Sequence, residues 1–237
     1  MNLIREQLIY YSLKYAGEYS LILKAINDNE SYEVVECLNC LTILDELYPK
    51  AFLQLAYPPF VLYYKGDLSL LESSKVGIVG SRSACDYAIK ATALVVEKLN
   101  DEGYTIVSGL TKGIDAIAHE NAKKTIGILG SGIDYIYPLA NKGLIERCFK
   151  EQLVLSEYPA MTKPLKHHFP IRNRLIAALS DEIYVMQASI KSGTMTTVNQ
   201  AMDLNRSIHA LPYEIFDKQG EACNMLIQEG ASLISCD

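Results

Sequence analysis

The sequence predicts an α/β protein: an extended Rossmann-like fold with a doubly wound, mostly parallel sheet and a small N-terminal helical appendage. From about residue 74 onwards, short apolar runs that end in turn residues alternate with stretches of helical periodicity. The chain between successive runs is long enough for a helix, and parallel strands need such a crossover connection. We therefore assign residues 57–237 to the Rossmann-like domain and residues 1–56 to a small helical region.

The N-terminal region is predicted to be helical because its apolar residues recur at intervals of three and four. This spacing begins at Leu3 and continues through the stretches SLILKAI and VVECLNCLTILDEL. Pro58 and Pro59 then interrupt the pattern before a short extended run. We expect these helices to be too few to form a large core of their own.

Six buried strands are predicted beyond residue 74, with a helix between each pair. In chain order, the strands are KVGIVG, YTIVSG, TIGILG, QLVLSEYP, EIYVMQA and SIHALP. The intervening helices include YAIKATALVVEKLNDEG, IDAIAHENAKK, residues 144–149 and IRNRLIAALS. The late segment CNMLIQEGASLI has two interpretations: a last helix and strand packed on the sheet, or part of a dimer face.

The composition limits the classes of protein to consider. Of the 237 residues, 49% are apolar and 21% are charged, which is enough to bury a core without a disulfide or a structural metal. No apolar run reaches the ~18 residues that span a bilayer, and the N-terminus lacks the features of a signal peptide, so we expect a cytoplasmic protein without membrane contact. The six cysteines include one CxxC, Cys37 to Cys40, without a second pair, which favours scattered reduced thiols over a redox or metal site.

Glycine and hydroxyl residues follow four of the predicted strands. Because ligands of doubly wound sheets bind beyond the carboxyl ends of the strands, these turns are expected to meet at one edge. Glycine lets backbone N–H groups approach an anion closely, and helix N-termini add a partial positive charge. The same residues are also ordinary turn and capping residues. The residues concerned are Gly80, Ser81 and Arg82; Ser108, Gly109 and Lys112; Gly130, Ser131 and Gly132; and Lys191, Ser192, Gly193 and Thr194.

Familiar nucleotide and catalytic motifs are not found. The sequence has neither GxGxxG nor GxxxxGK[ST], so an NAD-dependent enzyme or an ATPase is disfavoured and no cofactor is expected. HExxH and GxSxG are also absent. Asp115 and His119 lie one turn apart on a predicted helix, where they form either a catalytic pair or a helix-start carboxylate and a packed histidine.

The segment KHHFPIRNRLIAALS is basic in a chain whose formal net charge is −6, and residues 158–180 contain no acidic residue. Pro170 is suited to the first turn of a helix. Arg172, Asn173 and Arg174 fall in that turn, where the helix dipole disfavours cations, so we expect either an anionic ligand or an ion pair with an acidic residue elsewhere. Phe169 is either a core residue or a stacking platform for bases. On the same helix, the predicted buried stripe contains Ile171, Leu175 and Ala178.

The ordered motifs VGIVGSR, YTIVSGLTKGIDAIAH, GILGSGIDYIYP, LVLSEYP, HFPIRNRLIAALSDEIYVMQA, KSGTMTT and CNMLIQEGA resemble the DNA-processing protein A family, DprA, also called Smf. The resemblance covers roughly residues 57–235, and the HFPxRNR block is its most distinctive part. It implies a sequence-nonspecific, single-stranded DNA-binding recombination mediator, without enzymatic activity, that protects incoming DNA in natural transformation and helps load the RecA recombinase. It also implies a homodimer.

The resemblance assigns roles to individual residues. Arg82 would hold a phosphate, Lys166 would supply a cation for the DNA backbone, and Phe169 a base-stacking face. The full set of predicted DNA-binding residues is Gly80, Ser81, Arg82, Ser108, Gly109, Lys112, Lys166, His168, Phe169, Arg172, Asn173, Arg174, Lys191, Ser192, Gly193 and Thr194. Ala178 and Tyr213 stand where glycine is usual in the family, and a fuller N-terminal domain and a winged-helix-like C-terminal domain are common there.

Two other functions compete with DNA binding. Related Rossmann folds include nucleoside-monophosphate glycosidases, which carry a PGGxGTxxE motif at their phosphate loop; KSGTMTT is the nearest approach here, and it lacks the glutamate. A protein-binding scaffold without DNA affinity is suggested only by the acidic net charge.

Overall fold

A mixed sheet of nine strands crosses the part of the molecule that the computed structural model describes, residues 4–235. In chain order the strands are β1 (Cys40–Thr42), β2 (Val61–Gly66), β3 (Lys75–Gly80), β4 (Thr105–Ser108), β5 (Thr125–Ile128), β6 (Leu153–Ser156), β7 (Glu182–Gln187), β8 (Ser207–Ala210) and β9 (Ser232–Leu233). The spatial order is β1-β2-β6-β5-β4-β3-β7-β8-β9. The strands from β6 to β9 in this order are parallel, whereas β2 runs antiparallel to β6 and β1 antiparallel to β2.

Helices cover both faces of this sheet. They are α1 (Arg5–Lys14), α2 (Tyr19–Asn27), α3 (Asp86–Asp101), α4 (Ile114–Asn121), α5 (Lys142–Glu151), α6 (His168–Leu179), α7 (Gly193–Asp203) and α8 (Glu221–Gln228). Short 3-10 helices span Lys50–Gln54, Leu68–Glu72 and Leu139–Asn141.

The strands are apolar on both sides because both sides are buried, as is typical of parallel sheets. In β3, Val76 and Ile78 pack with α3 and α4, whereas Val79 packs with α6 and α7 on the opposite face. In β6, Val154 packs with α1, α2 and α5, and its neighbours Leu153 and Leu155 join the α6 side. This alternation explains why each strand appears in the sequence as an uninterrupted apolar run.

The strand order reverses at β3. The chain adds β4, β5 and β6 on one side of β3, then crosses back through α6 to place β7 on its other side. Such a reversal leaves a crevice outside the carboxyl ends of the neighbouring strands β3 and β7, because the loops that follow these two strands turn to opposite faces of the sheet. The predicted doubly wound α/β architecture is confirmed, and the six predicted strands correspond to β3 to β8.

The prediction of helix through residues 34–47 is wrong. Residues 31–37 have no regular structure, and Cys40–Thr42 forms the edge strand β1. Leu41 of β1 lies opposite Leu62 of β2. Pairing with an existing strand decides the conformation of this segment, and the helical spacing of its apolar residues does not.

The N-terminal helices lie directly on the sheet. Leu8 and Ile9 of α1 are buried in one apolar cluster with residues of β2, β6 and α5. The Tyr63 hydroxyl of β2 donates a hydrogen bond to the hydroxyl of Ser12 at 3.0 Å. One apolar cluster therefore contains residues from both sides of the predicted domain boundary between residues 56 and 57. The boundary itself stays a prediction.

The described helices are too short or too polar to cross a membrane: none between residues 4 and 235 combines the necessary length and hydropathy.

Replacing Leu8 by Ala tests whether α1 unfolds together with the sheet. Leu8 is fully buried, so the substitution should lower the free energy of unfolding of the whole chain by about 2–5 kcal/mol, measured by urea denaturation and circular dichroism. Leu13→Ala is the control, because Leu13 lies on the same helix but is 40% exposed. An unchanged main transition for Leu8→Ala would mean that α1 unfolds separately.

Candidate nucleic-acid interface

A crevice of about 570 Å³ lies beyond the carboxyl ends of β3 and β7, where the strand order reverses. It is bounded by the turn after β3, the loop after β4, and the first turns of α6 and α7. Its lining residues are Val79, Gly80, Ser81, Arg82, Thr111, Asp115, Tyr137, Lys166, Phe169, Pro170, Arg172, Asn173, Ile176, Ser192, Gly193, Thr194 and Thr197. The fold thus brings together turns that are up to about a hundred residues apart in the chain.

One wall of the crevice is cationic and aromatic. The guanidinium carbon of Arg82 lies 4.9 Å from the ring centroid of Phe169, within the range of a cation–π contact. Tyr137 approaches Phe169 from another side, with 5.9 Å between the ring centroids and 49° between the planes. Arg82 and Tyr137 are exposed and Phe169 is partly buried, so these side chains form an accessible surface.

Arg172 is the buried cation behind this wall. Its side chain extends from α6 into the interior, where Nη1 donates hydrogen bonds to the carbonyl oxygen of Gly109 at 2.6 Å and to that of Ile128. Burial lowers the pKa of Arg172 to about 10, which still leaves the guanidinium charged at neutral pH. Arg172 therefore fastens the first turns of α6 to the ends of β4 and β5.

Gly109 makes room for this contact. A Cβ atom at residue 109 would overlap the guanidinium of Arg172, so only glycine fits here without displacing that side chain. The contribution of Gly109 is thus to the position of Arg172, since Gly109 itself does not line the crevice.

The opposite wall is the start of α7. Ser192 is the residue before its first turn, and its hydroxyl has no hydrogen-bond partner within residues 4–235. Gly193, the first residue of α7, is exposed at the crevice, whereas Thr194 is buried. Asn173 of α6 donates from Nδ2 to the carbonyl of Gly193 at 3.4 Å, which links the two walls. A helix start with free N–H groups and hydroxyls suits an anionic oxygen.

Asp115 and His119 do not form a catalytic pair. Asp115 Oδ2 accepts hydrogen bonds from the hydroxyl of Thr111 at 2.8 Å and from its backbone N–H at 3.3 Å. His119 faces the interior, where Nε2 accepts the N–H of Leu110 at 3.3 Å. Burial lowers the pKa of His119 to about 3, so the ring is neutral. The two residues support the loop after β4, in which Leu110 has the unusual φ of 55°.

A family model described as DNA recombination-mediator protein A matches residues 39–237. The chain belongs to this family. Among curated relatives, the DNA processing protein DprA of Streptococcus pneumoniae is 43% identical over 198 residues, which are 82% of this chain and 70% of that protein. The resemblance seen in the sequence motifs is confirmed.

Two solved structures show that the similarity to this family extends to the fold. The crystal structure of DprA from Streptococcus pneumoniae has a TM-score of 0.83 at 34% identity and covers 99% of this chain and 95% of the other. DNA processing protein A from Helicobacter pylori has a TM-score of 0.77 at 37% identity, covering 82% and 90% of the two chains. The latter structure describes a single-stranded DNA binding mode for the Helicobacter pylori protein.

In this DprA-family chain, most of the predicted site residues meet in the crevice. Those that line it are Gly80, Ser81, Arg82, Lys166, Phe169, Arg172, Asn173, Ser192, Gly193 and Thr194. Arg172 and Arg174 point to different sides of α6, one to the carbonyl of Gly109 and the other to the carboxylate of Glu157. Ile171 departs from the predicted buried stripe, since it is 37% exposed, because the first turn of α6 stands at the rim.

The remaining predicted residues lie outside the crevice. The Ser108 hydroxyl is buried and donates to the carbonyl of Ile78 at 2.6 Å. His168 is 1% exposed and stacks on Tyr158 with 4.0 Å between ring centroids. Ser108 and His168 thus serve the interior and not the crevice. Also outside the lining are Gly109, Lys112, Arg174 and Lys191, of which the two lysines are exposed.

Arg174 forms the ion pair that was the alternative to ligand binding. Its Nη1 and Nη2 lie 3.0 and 2.7 Å from the two carboxylate oxygens of Glu157, and both side chains are almost fully buried. Nη2 also donates to the carbonyl of Tyr57 at 3.0 Å. The bidentate contact with Glu157 joins α6 to the segment after β6, and the hydrogen bond to Tyr57 joins α6 to the residues before β2.

Four lining residues with polar side chains are absent from the predicted set: Thr111, Asp115, Tyr137 and Thr197. Tyr137 lies in GIDYIYP, several residues beyond the end of β5. Only the path of that loop brings its ring back to Phe169. The sequence signal for this residue was an aromatic side chain, Tyr137, followed by Pro138 in a strand-end motif.

Replacing Arg174 by Ala should lower the free energy of unfolding by about 3–5 kcal/mol, because it leaves the Glu157 carboxylate buried without its partner. Chemical denaturation measures this loss. Lys142→Ala is the matched control: the Lys142–Glu146 pair is exposed, and its loss should cost less than about 1 kcal/mol. Equal costs for the two variants would contradict a structural role for Arg174.

Proposed function

We propose that this protein binds single-stranded DNA, without sequence preference, in the crevice beyond β3 and β7. The observation that carries the proposal is the contact between Arg82 and Phe169, with Lys166 on the same wall. A cation beside an aromatic face is the combination with which proteins hold a phosphate and stack the adjacent base. Stacking accepts any base, which accounts for binding without sequence preference.

The opposite wall supplies the second kind of contact. The start of α7 offers the exposed backbone of Gly193, and beside it the Ser192 hydroxyl, which is buried without a hydrogen-bond partner among the described residues and must turn towards the crevice to meet a phosphate oxygen. A strand that lies between the walls would then meet cations and a ring on one side and neutral donors on the other. The single-stranded DNA binding described for the Helicobacter pylori relative supports this assignment.

Binding rather than catalysis is the proposed activity. Within residues 4–235, the carboxylate that lines the crevice is that of Asp115, and its Oδ2 already accepts two hydrogen bonds from Thr111. Its negative charge also stabilises the charged form of the buried Arg172. These contacts favour a supporting role for Asp115 over that of a general acid in a nucleotide-processing enzyme.

The wider biological role is proposed on the basis of family membership. We infer that the protein is a cytoplasmic recombination mediator that protects incoming single strands during natural transformation and helps load RecA. We also infer that it acts as a homodimer. The family description, DNA recombination-mediator protein A, supports the mediator role.

The test is a fluorescence-anisotropy titration of single-stranded and duplex oligonucleotides at two salt concentrations. We expect tighter binding to the single strand and an affinity that falls steeply with salt. Equal affinity for the two forms of DNA would overturn the proposal.

Arg82→Ala should weaken binding to the single strand and make the slope of log affinity against log salt shallower by about one unit, because one phosphate contact is lost. Lys124→Ala is the control, since Lys124 is an exposed cation directly before β5, at the amino-terminal end of this strand and away from the crevice. The same loss in both variants would indicate a general charge effect and would place the DNA outside the crevice.

Phe169→Leu should reduce the affinity for single strands by about 1–3 kcal/mol, because leucine keeps an apolar contact but cannot stack on a base. Phe169→Tyr keeps the ring and should bind as the parent protein does. Anisotropy titrations of both variants with the same oligonucleotide measure the difference. If Phe169→Leu binds as tightly as Phe169→Tyr, no base stacks on this residue.

A further inference from the structure

Two histidines and a glutamate converge behind the crevice. His167 and His168 stand at the beginning of α6, and Glu18 immediately precedes α2. One potential ligand atom of each residue lies within 4.8 Å of those of the other two. The cluster joins segments about 150 residues apart in the chain, so the fold creates it and no sequence motif shows it.

The distances within this cluster are close to those of a metal site. Oε1 of Glu18 lies 3.5 Å from Nε2 of His167 and 3.8 Å from Nε2 of His168. Ligand atoms that bind Zn²⁺ at 2.0–2.1 Å in tetrahedral geometry are about 3.3 Å apart. Small side-chain rotations therefore suffice to bring the three atoms to the corners of one tetrahedron.

We propose that Glu18, His167 and His168 bind a divalent transition-metal ion of the class of Zn²⁺. Two imidazoles and one carboxylate are ligands that this class of ion prefers, and with three protein ligands a fourth position remains for water. Alkaline-earth ions such as Mg²⁺ prefer oxygen ligands and are disfavoured here.

The surroundings of His168 hold its ring in place for this role. Its ring stacks on Tyr158 with 16° between the planes, and the backbone N–H of Leu165 lies 3.4 Å from Nδ1. Coordination through Nε2 places the ring proton on Nδ1, so the long 3.4 Å contact between Nδ1 and the Leu165 N–H opens when the ion binds. His167 and Glu18 are more exposed, which leaves a path for the ion to enter.

A bound ion would join the N-terminal helices to the first turn of α6. That turn lies between Lys166 and Phe169, two residues of the proposed DNA-binding wall. The metal site itself does not depend on the proposed function, because none of its three ligands lines the crevice.

The alternative arrangement is a histidine–glutamate pair without metal. The chain contains a suitable comparison: Nε2 of His209 lies 2.9 Å from Oε2 of Glu182, and the His209 ring stacks on Tyr184 with 4.4 Å between centroids. This pair resembles the proposed site in its stacked ring and carboxylate but has no second histidine in the cluster. His209→Ala is therefore the matched control.

The experiment is isothermal titration calorimetry of the 237-residue chain with ZnCl₂, after treatment with chelator and in the absence of a histidine tag. All proteins carry Cys37→Ser, so that the thiols of Cys37 and Cys40 do not compete as a zinc-binding pair. We expect one Zn²⁺ per chain, and an affinity at least about tenfold lower in His167→Ala and in Glu18→Gln. His209→Ala should bind zinc as the parent does.

Cobalt supplies a second measurement. Co²⁺ in place of zinc should produce a visible absorption band of four- or five-coordinate geometry that His167→Ala lacks. His167 has an exposed side chain, so its replacement should leave the far-ultraviolet circular dichroism spectrum unchanged.

No saturable zinc binding, the same affinity in the parent and His167→Ala, or an equal loss in His209→Ala would each overturn the proposal. These measurements contain no DNA, so they can fail while DNA binding succeeds, and the reverse.

Discussion

The crevice depends on one buried cation. Arg172 extends from α6 under the wall of the crevice and donates to the carbonyl groups of Gly109 and Ile128, at the ends of β4 and β5. Gly109 directly follows β4 and Ile128 is the last residue of β5, and a charged donor satisfies their carbonyl groups more strongly than a neutral one. The burial of a guanidinium is costly, so it holds only while Gly109 leaves space and Asp115 supplies a negative charge nearby. The first turn of α6, with Phe169 and Lys166 beside it, takes its position from this contact.

The same arrangement bears on the proposed binding of an acidic polymer by an acidic protein. The formal net charge of −6 opposes a general attraction of DNA, whereas the exposed cations Arg82 and Lys166 lie together on one wall of the crevice. Arg82 is kept there by its contact with the Phe169 ring and has no described ion pair that would neutralise it. The ring thus has two uses in the proposed complex: it positions the cation, and it offers an area for stacking.

Arg172 and Arg174 have partners that the sequence alone does not predict. Both belong to the same turn of α6, and helix geometry correctly places them on different sides. Whether each binds a ligand or a protein group depends on what lies opposite, and that is a matter of tertiary structure. Arg174 meets Glu157 and the carbonyl of Tyr57, which fully explain its charge. The early segment around Cys40 fails for a related reason: it becomes a strand because β2 offers an unpaired edge, whereas its own residue spacing favours a helix.

The sequence by itself determined the fold class, the positions of six strands along the chain, the family, and the carboxyl-end side of the sheet at which the crevice lies. These follow from local patterns, since an apolar run buried on both faces and a glycine-rich turn are visible within a few residues of the chain. Only the tertiary structure decided which strand-end residues face the crevice, that Tyr137 returns to Phe169, and that Glu18 meets His167 and His168. The physical reason is that the burial and pairing of a polar side chain depend on neighbours that are distant in sequence. The residues next to that side chain in the sequence do not indicate which neighbours these are.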